Sequence, residues 1–164
     1  IDQRMKEIPL TQGKVALVDD SDFERISKYK WFATQNRKNG NWYARTTIMT
    51  KETKCGHTSI GMHRMILGDE FKVIDHEDGN GLNNQRSNLR GCSYAQNQMN
   101  KRIAKTNRTG YKGVFFNGKK YVAKVGVNKR SIHLGTFNTA IEGAKAYNQY
   151  VNTHFGKFAH ASLI

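Results

Sequence analysis

Cysteines and long apolar runs are scarce in this chain of 164 residues, and each scarcity excludes a class of protein. The two cysteines, Cys55 and Cys92, are too few and too far apart for a zinc site or a disulfide scaffold. We expect two free thiols in a reducing compartment, and hence a cytoplasmic protein. No apolar run of about 18 residues occurs, so no membrane-spanning segment is expected. The opening residues 1–4 are not followed by the apolar region of a signal peptide, and they lack an initiator Met, as in a trimmed chain.

Apolar residues are also too few for one thick core. They make up 37% of the chain, and the mean hydropathy is −0.73. We therefore expect small modules rather than one domain with a single thick core. The strands and helices predicted below make the fold class α+β. The predicted division is an N-terminal β-rich module at 1–60, a central core at 61–100, a basic linker at 101–109 and a C-terminal module at 110–164.

Acidic residues are nearly absent from the last third of the chain. Residues 101–164 hold 12 Lys or Arg and a single acid, Glu142, for a net charge of +11, whereas residues 1–100 contribute +3 of the total of +14. So uneven a charge indicates a polyanionic partner, most often nucleic acid bound through its phosphates. An anionic membrane surface is the weaker alternative, because the C-terminal helix predicted below carries too few cations, and we expect no membrane partner.

Short strands and one helix are predicted for the N-terminal module. Residues 14–18, 31–33 and 42–48 have strand composition, and Ser21 followed by Glu24 has the pattern of a capping box at a helix start. Four aromatic residues near the last two strands favour the core of a small sheet over a base-stacking platform. They are Trp31, Phe32, Trp42 and Tyr43. The nearby cations that keep the platform open as an alternative are Arg37, Lys38 and Arg45.

The C-terminal module has the clearest strand pattern. Strands are predicted at 112–116, 121–127 and 130–137, joined by tight turns at Asn117-Gly118 and Asn128-Lys129. These elements form a three-stranded antiparallel meander.

An amphipathic helix should pack on one face of that sheet. Thr139 and Glu142 have the pattern of a second capping box, and the helix is expected to end before Gly156. Because side chains alternate along a strand, the other face is left open, and it carries Lys124 and His133.

The central stretch concentrates residues that bind metals and transfer protons. Asp75 and His76 end a short apolar run, a Gly- and Asn-rich loop leads to Asn88, and a helix expected to start near Ser93 carries Asn97. Mg²⁺, or alternatively Mn²⁺, prefers oxygen ligands, so Asp75 and Asn97 are candidate metal ligands. His76 is the candidate base that takes a proton from water, and Asn88 would orient that imidazole or tie the loop back. A turn whose Asp and His are merely hydrogen-bonded is the competing interpretation.

Cations and a second histidine flank this stretch. His63 and Arg64 lie among apolar residues, which favours a packed, hydrogen-bonded histidine, and the alternative places either residue against a phosphate beside the site. Arg90 is a further candidate for contact with DNA. Lys101 and Arg102 belong to the basic linker, which is either a solvated loop or a segment that follows DNA phosphates.

Five short motifs in the central region carry a family resemblance. They are Met62-His63-Arg64, Asp75-His76-Glu77-Asp78-Gly79-Asn80, Asn83-Asn84, Arg86-Ser87-Asn88-Leu89-Arg90 and Gln96-Asn97. Together they resemble HNH nucleases of the phage and intron homing-endonuclease type, and the segment from Ile8 to Trp31 resembles the leader found in such proteins. The resemblance implies a ββα-metal core of two short strands and a helix around one metal.

The same resemblance implies roles for individual residues. Asp75 and Asn97 would be the metal ligands, His76 the general base and Asn88 the positioning asparagine. The reaction would cleave a DNA phosphodiester to 5′-phosphate and 3′-hydroxyl ends.

Three motifs in the C-terminal module point to a second family. They are Gly110-Tyr111-Lys112-Gly113-Val114, Ile132-His133-Leu134-Gly135-Thr136-Phe137 and Ala144-Lys145-Ala146-Tyr147. They resemble the ERF-type DNA-binding domain of plant transcription factors, which also occurs fused to phage HNH nucleases. The resemblance implies that the open sheet face enters the major groove, with contacts from Lys112, Lys124 and His133. The chain departs from the plant pattern at Phe115, Gly126, Ser131 and His133, so we expect affinity through phosphates rather than a defined base code.

The sequence therefore predicts a metal-dependent DNA endonuclease of homing type, acting in the cytoplasm of the host cell if phage-encoded. One site per chain favours a monomer that nicks duplex DNA, and a dimer could cut both strands. The alternative is a DNA-binding protein or regulator with a decayed nuclease core. The presence of Asp75, His76, Asn88 and Asn97 favours the enzyme. An RNA-binding protein is a third, weaker interpretation.

Overall fold

Four small antiparallel sheets and four α-helices make up the described part of the chain. The computed structural model describes residues 4–37, 40–101, 103, 106–159 and 162. Contacts group the chain into two units, Ile1–Cys92 and Ser93–Ile164. The predicted α+β class is confirmed at the level of small antiparallel sheets with helices, and the ββα-metal layout stays a prediction. Within the described ranges no helix is long and apolar enough to cross a membrane.

Two small sheets and a helix form the first part of the first unit. Strand β1 (Met5–Pro9) pairs with β2 (Val15–Asp19), and α1 (Asp20–Ile26) follows. The second sheet has three strands, with the middle one paired to both neighbours. They are β3 (Phe32–Gln35), β4 (Trp42–Met49) and β5 (His57–Gly61).

A short helix and a two-stranded ribbon complete this unit. Helix α2 (Met62–Leu67) leads into β6 (Val73–His76), which pairs with β7 (Leu89–Cys92). A ribbon of four residues per strand is marginal alone, so it needs packing against other elements. One apolar core provides that packing, because its buried residues come from β1, β2, α1, β4, α2, β6 and β7 and from Trp31. They are Ile8, Ala16, Val18, Ile26, Trp31, Ala44, Met62, Ile66, Ile74 and Leu89.

This shared core crosses the predicted boundary between residues 1–60 and 61–100. The N-terminal sheets and the β6–β7 ribbon are stabilised by the same buried apolar surface. The sequence-based division into four parts stays a prediction. Trp31 is buried as expected for a core aromatic, and its ring nitrogen donates to the Ile26 carbonyl at 2.8 Å.

The predicted capping box at Ser21 and Glu24 is wrong. Helix α1 begins at Asp20, so Ser21 lies inside it, and Asp19 occupies the N-cap position. The Asp19 carboxylate, only 3% exposed as a residue, instead accepts from the backbone nitrogen of Arg86 at 2.7 Å and from Gln85 Nε2 at 3.3 Å. The Asp19 side chain therefore makes a long-range contact with the 77–88 loop instead of a hydrogen bond that caps α1.

The second unit is close to its sequence-based prediction. Helix α3 (Tyr94–Asn100) begins with a capping box of Ser93 and Gln96. The sheet that follows has the order β10-β9-β8, and α4 packs against all three strands. These elements are β8 (Val114–Phe116), β9 (Tyr121–Val127), β10 (Arg130–Phe137) and α4 (Ala140–Phe155).

Local signals set the ends of these elements. The capping box of Thr139 and Glu142 is present at the start of α4, and Gly156 follows its end, as predicted. The turn between β9 and β10 has Asn128 and Lys129 at positive φ (50° and 64°). Strand β8 begins two residues later than predicted, because Gly113 has a φ of 72° that interrupts the extended backbone.

Candidate active site

The β6–β7 ribbon places Asp75 and His76 side by side at the end of a strand. Asp75 pairs with Arg90 and His76 with Leu89 across the ribbon, so the two side chains leave opposite faces. Both residues are 6% exposed. The buried carboxylate and the buried imidazole therefore have different neighbours, although they are adjacent in the chain.

Asp75 is held by Arg90 in a nearly buried ion pair. Its Oδ2 atom accepts from Arg90 Nε at 3.0 Å and from Nη2 at 2.9 Å. Arg90 Nη1 also lies 3.3 Å from Glu77 Oε1, and the arginine side chain is 10% exposed. Arg90 was expected to contact DNA, and in this structure its guanidinium group binds two carboxylates. Its DNA contact stays a prediction.

His76 lies among one amide and two aromatic rings. Its Nε2 is 3.4 Å from Asn84 Oδ1, and its ring centroid is 5.9 Å from that of Tyr43 and 5.2 Å from that of His63. Burial lowers the pKa of His76 below its ordinary value, although the Asn84 hydrogen bond and the Asp78 and Asp75 charges oppose this shift. The imidazole is therefore neutral near pH 7, the state in which it can accept a proton.

Asn88 and Asp78 hold the 77–88 loop together. Asn88 Nδ2 donates to Asp78 Oδ1 at 3.0 Å and to the Asn83 carbonyl at 2.8 Å, and its Oδ1 accepts from the Asp78 backbone nitrogen at 3.0 Å. Asp78 also accepts from the Asn80 backbone nitrogen and the Asn83 amide. Of the two roles expected for Asn88, these contacts correspond to tying the loop back.

His63 and Arg64 lie in α2, and their environments differ. The His63 ring covers Gly61, where an added Cβ would lie 2.7 Å from His63 Cε1, and its Nδ1 is buried without a hydrogen-bond partner in the described structure. Burial, followed by the His76, Arg64 and Arg45 charges, lowers the pKa of His63 to about 3. Arg64 donates to the carbonyls of residues 68, 71 and 72 and so fastens the segment before β6. Phosphate contact by either residue stays a prediction.

An open groove of about 340 Å³ lies beside His63. Its lining combines hydroxyl, amide, imidazole and guanidinium groups from β3, β4 and α2. The lining residues are Thr34, Gln35, Asn36, Tyr43, Arg45 and His63. Tyr43 also touches the His76 ring edge-on, so the groove begins next to the candidate base.

Two residues near His76 were not recognised as site residues from the sequence. Asn84 belongs to the Asn83-Asn84 motif, yet nothing in that motif shows which of the two side chains is buried. Tyr43 was expected in a sheet core. Its ring reaches His63 and His76 because β4 pairs with β5 and contacts α2. No periodicity or short spacing links residues 43 and 84 to residue 76.

The remaining predicted residues belong to the second unit. Asn97 is half-buried in α3, and its partnership with Asp75 stays a prediction. Lys124 and His133 are exposed and face each other across β9 and β10. Lys101 is exposed, and Arg102 lies outside the described residues.

Lys112 has a more enclosed environment than the other predicted DNA contacts. Its Nζ donates to the Met99 and Lys101 carbonyls, at 2.5 Å and 2.6 Å, at the end of α3. Burial and the charge of Lys101 lower its pKa to about 8. Its described contacts therefore hold the end of α3, and contact with DNA stays a prediction.

The donors near His76 fit a hard divalent cation. The described residues include no group of three His, Cys, Asp or Glu side chains that could hold a metal together. Mg²⁺ needs only one or two carboxylates from a protein, because waters and substrate phosphates complete its coordination. The buried Asp75 carboxylate meets that requirement, with Arg90 already bonded to its Oδ2.

Fold and site together define a small basic α+β protein with a carboxylate–imidazole pair at the end of a two-stranded ribbon. No family model matches the chain. It is similar, with 31% identity over 160 residues, to an uncharacterized HNH endonuclease of Acanthamoeba polyphaga mimivirus. The alignment covers 93% of this chain and 77% of the relative. The chain belongs to the HNH endonuclease family, whose members generally depend on a divalent metal.

Proposed function

We propose that this chain is a metal-dependent DNA endonuclease of homing type, which hydrolyses a phosphodiester to 5′-phosphate and 3′-hydroxyl ends. The observation that carries the proposal is the buried His76 imidazole, whose pKa burial lowers, directly after the buried Asp75 carboxylate. A neutral imidazole is a competent base for water, and a neighbouring carboxylate suits a hard cation.

Each residue of the site has a proposed task. His76 accepts the proton of the attacking water. Asn88 keeps the 77–88 loop closed around that imidazole through its bonds to Asp78 and Asn83. Asp75 and Asn97 would hold the metal, which when bound would stabilise negative charge on the phosphoryl group and on the leaving oxygen.

The substrate is proposed to be duplex DNA held through its phosphates. The net charge of +11 over residues 101–164 supports this choice, since phosphate contacts by Lys and Arg dominate the affinity of DNA-binding proteins. The open face of the β8–β9–β10 sheet exposes Lys124 and His133, in line with an ERF-type module in the second unit. One site per chain favours nicking by a monomer.

Supercoiled plasmid DNA tests the proposal directly. With Mg²⁺ the wild-type chain should give relaxed circles, and with EDTA the plasmid should stay supercoiled. Linear product would instead indicate cleavage of both strands. His76→Ala should reduce the rate by at least about 100-fold, because general base catalysis typically contributes about 10²–10⁴-fold. Full cleavage by that variant would refute the assignment of the base.

A DNA-binding protein without nuclease activity is the second candidate. One observation favours it, namely the Arg90 guanidinium on Asp75, because it competes with a cation for the same carboxylate oxygen. This candidate predicts that the wild-type chain binds the plasmid and leaves it supercoiled with Mg²⁺ and with Mn²⁺. The plasmid assay therefore separates the two functions.

A further inference from the structure

The Asn84 side chain is one of the most deeply buried polar groups in the first unit. It is 1% exposed, and its oxygen lies 3.4 Å from Nε2 of His76. Strand β2 fixes its backbone, because Leu17 donates to the Leu82 carbonyl at 2.9 Å and Asn84 donates to the Leu17 carbonyl at 2.7 Å. The N-terminal sheet thus sets the position of this amide against the imidazole.

Stability does not explain an asparagine here. Its Nδ2 is buried and has no hydrogen-bond partner in the described structure. An unsatisfied buried donor costs about 1–3 kcal/mol, whereas leucine has a similar size and buries no polar group. The contact of the amide oxygen with His76 is then the feature that distinguishes Asn84 from an apolar residue.

That contact selects one form of the imidazole. A neutral imidazole has a hydrogen on one nitrogen and a lone pair on the other, and an amide oxygen can only accept. A hydrogen bond to Asn84 Oδ1 therefore requires the hydrogen to be on Nε2, which makes Nδ1 the proton-accepting atom. The rings of Tyr43 and His63 limit rotation of His76, but edge contacts do not distinguish the two nitrogens.

We propose that Asn84 is a positioning residue that holds His76 in the Nε2–H tautomer, so that Nδ1 receives the proton of the attacking water. The catalytic half of this inference rests on the proposed nuclease function. The tautomer itself is a property of the free protein and can be measured without any reaction.

The spectroscopic test uses the full chain with ¹⁵N-labelled histidine near pH 7.5. The His76 ring signals are assigned by their loss in His76→Ala. Wild type should show a protonated Nε2 and an unprotonated Nδ1. In Asn84→Leu the fraction of the Nε2–H tautomer should fall below that of the wild type. A proton on Nδ1 of His76 in the wild type would overturn the inference.

The kinetic test compares Asn84→Leu with Asn152→Leu, the same substitution at an exposed asparagine of α4 outside the candidate site. Asn84→Leu should slow single-turnover plasmid nicking by roughly 10–100-fold, as for other groups that orient a catalytic ligand, with DNA affinity unchanged and an equal or higher melting temperature. Asn152→Leu should nick at nearly the wild-type rate. An Asn84→Leu variant that nicks at the wild-type rate would overturn the positioning role.

Two further results separate this inference from the proposed function. If Asn84→Leu fails to fold, Asn84→Asp replaces it, because the aspartate side chain keeps a hydrogen-bond acceptor. His76 should retain its Nε2–H tautomer in Asn84→Asp, and loss of that tautomer in this variant would count against the inference. If the wild-type chain cleaves no DNA with Mg²⁺ or Mn²⁺, the proposed function fails, and the labelled spectrum still decides the tautomer.

Discussion

Asp22 shows how single side chains hold the candidate active-site loop. This residue of α1 has a side chain that is 4% exposed. Its carboxylate accepts from Arg86 Nε at 2.7 Å, from Arg86 Nη2 at 2.9 Å and from Arg25 Nη2 at 2.8 Å. Arg86 lies in the same loop as Asn84 and Asn88, so the ion pair anchors that loop to the N-terminal helix.

This anchor should make the stability of the first unit depend on pH. Burial raises the pKa of Asp22, but the hydrogen bonds and charges of Arg86 and Arg25 together lower it below its ordinary 3.8. A carboxyl with a depressed folded-state pKa stabilises the fold fully above its unfolded pKa, and the contribution is lost as the pH falls through the folded-state pKa. At pH 7 Asp22→Asn should lower the free energy of unfolding by about 2 kcal/mol.

Urea unfolding followed by tryptophan fluorescence measures this effect in the first unit, because both tryptophans, Trp31 and Trp42, belong to it. The difference in free energy of unfolding between wild type and Asp22→Asn should be constant above about pH 5. It should shrink as the pH falls below 3.8. A difference that stays constant down to about pH 2 would mean that the carboxylate charge contributes nothing.

The packing of α4 on its sheet depends on a close approach of the helix to the backbone of Gly113. This residue has a φ of 72°, and a Cβ placed on it would lie 2.2 Å from the Tyr147 ring and 2.6 Å from the Lys124 carbonyl. Tyr147 is 3% exposed, and burial raises its pKa to about 12. The backbone of residue 113 is therefore in direct contact with the helix that covers the sheet.

Gly113→Ala should destabilise the second unit by more than the cost of placing an alanine at positive φ. Gly118→Ala is the matched control, since Gly118 also has positive φ (94°) but no described atom within 4 Å of an added Cβ. The control should lose about 1 kcal/mol, and Gly113→Ala at least about 2 kcal/mol more. Hydrogen exchange of the β9 and α4 amides measures both losses, and equal losses would contradict the proposed contact.

The elements of the second unit were predictable because their signals are local. The turn at Asn128-Lys129 and the capping box of Thr139 and Glu142 each involve residues within a few positions of one another. The first unit was less predictable, because its contacts join distant segments. Asp19 illustrates this, since its carboxylate binds residues 85 and 86 rather than the helix that follows it.

The same reasoning applies to the candidate site. Asp75, His76 and Asn88 fall within a short stretch, so residue type and spacing were sufficient to propose them. Asn84 could be placed beside His76 only through the contact of β2 with the 77–88 loop, which is a parallel bridge between Leu17 and Asn83. A pairing between residues so far apart has no signature in either local sequence.

The uneven distribution of charge along the chain affects how DNA should bind. Net positive charge is concentrated in residues 101–164 because acidic residues are nearly absent there, and the open sheet face and the α4 surface both carry exposed lysines. Lys124 lies on the sheet face and Lys145 on the helix, and both are exposed. If the sheet face holds the phosphates, these two lysines should contribute unequally.

Lys124→Gln should therefore weaken binding of mixed-sequence duplex DNA equally across sequences, whereas Lys145→Gln, which removes the same charge from the helix, should bind almost as the wild type does. Each phosphate contact contributes about 0.9 to the slope of log affinity against log salt concentration, so Lys124→Gln should flatten that slope by about one. Fluorescence anisotropy over a salt series measures both variants. Equal changes in the two slopes would mean that net charge, not the sheet face, governs binding, because a delocalised attraction does not distinguish one lysine from another.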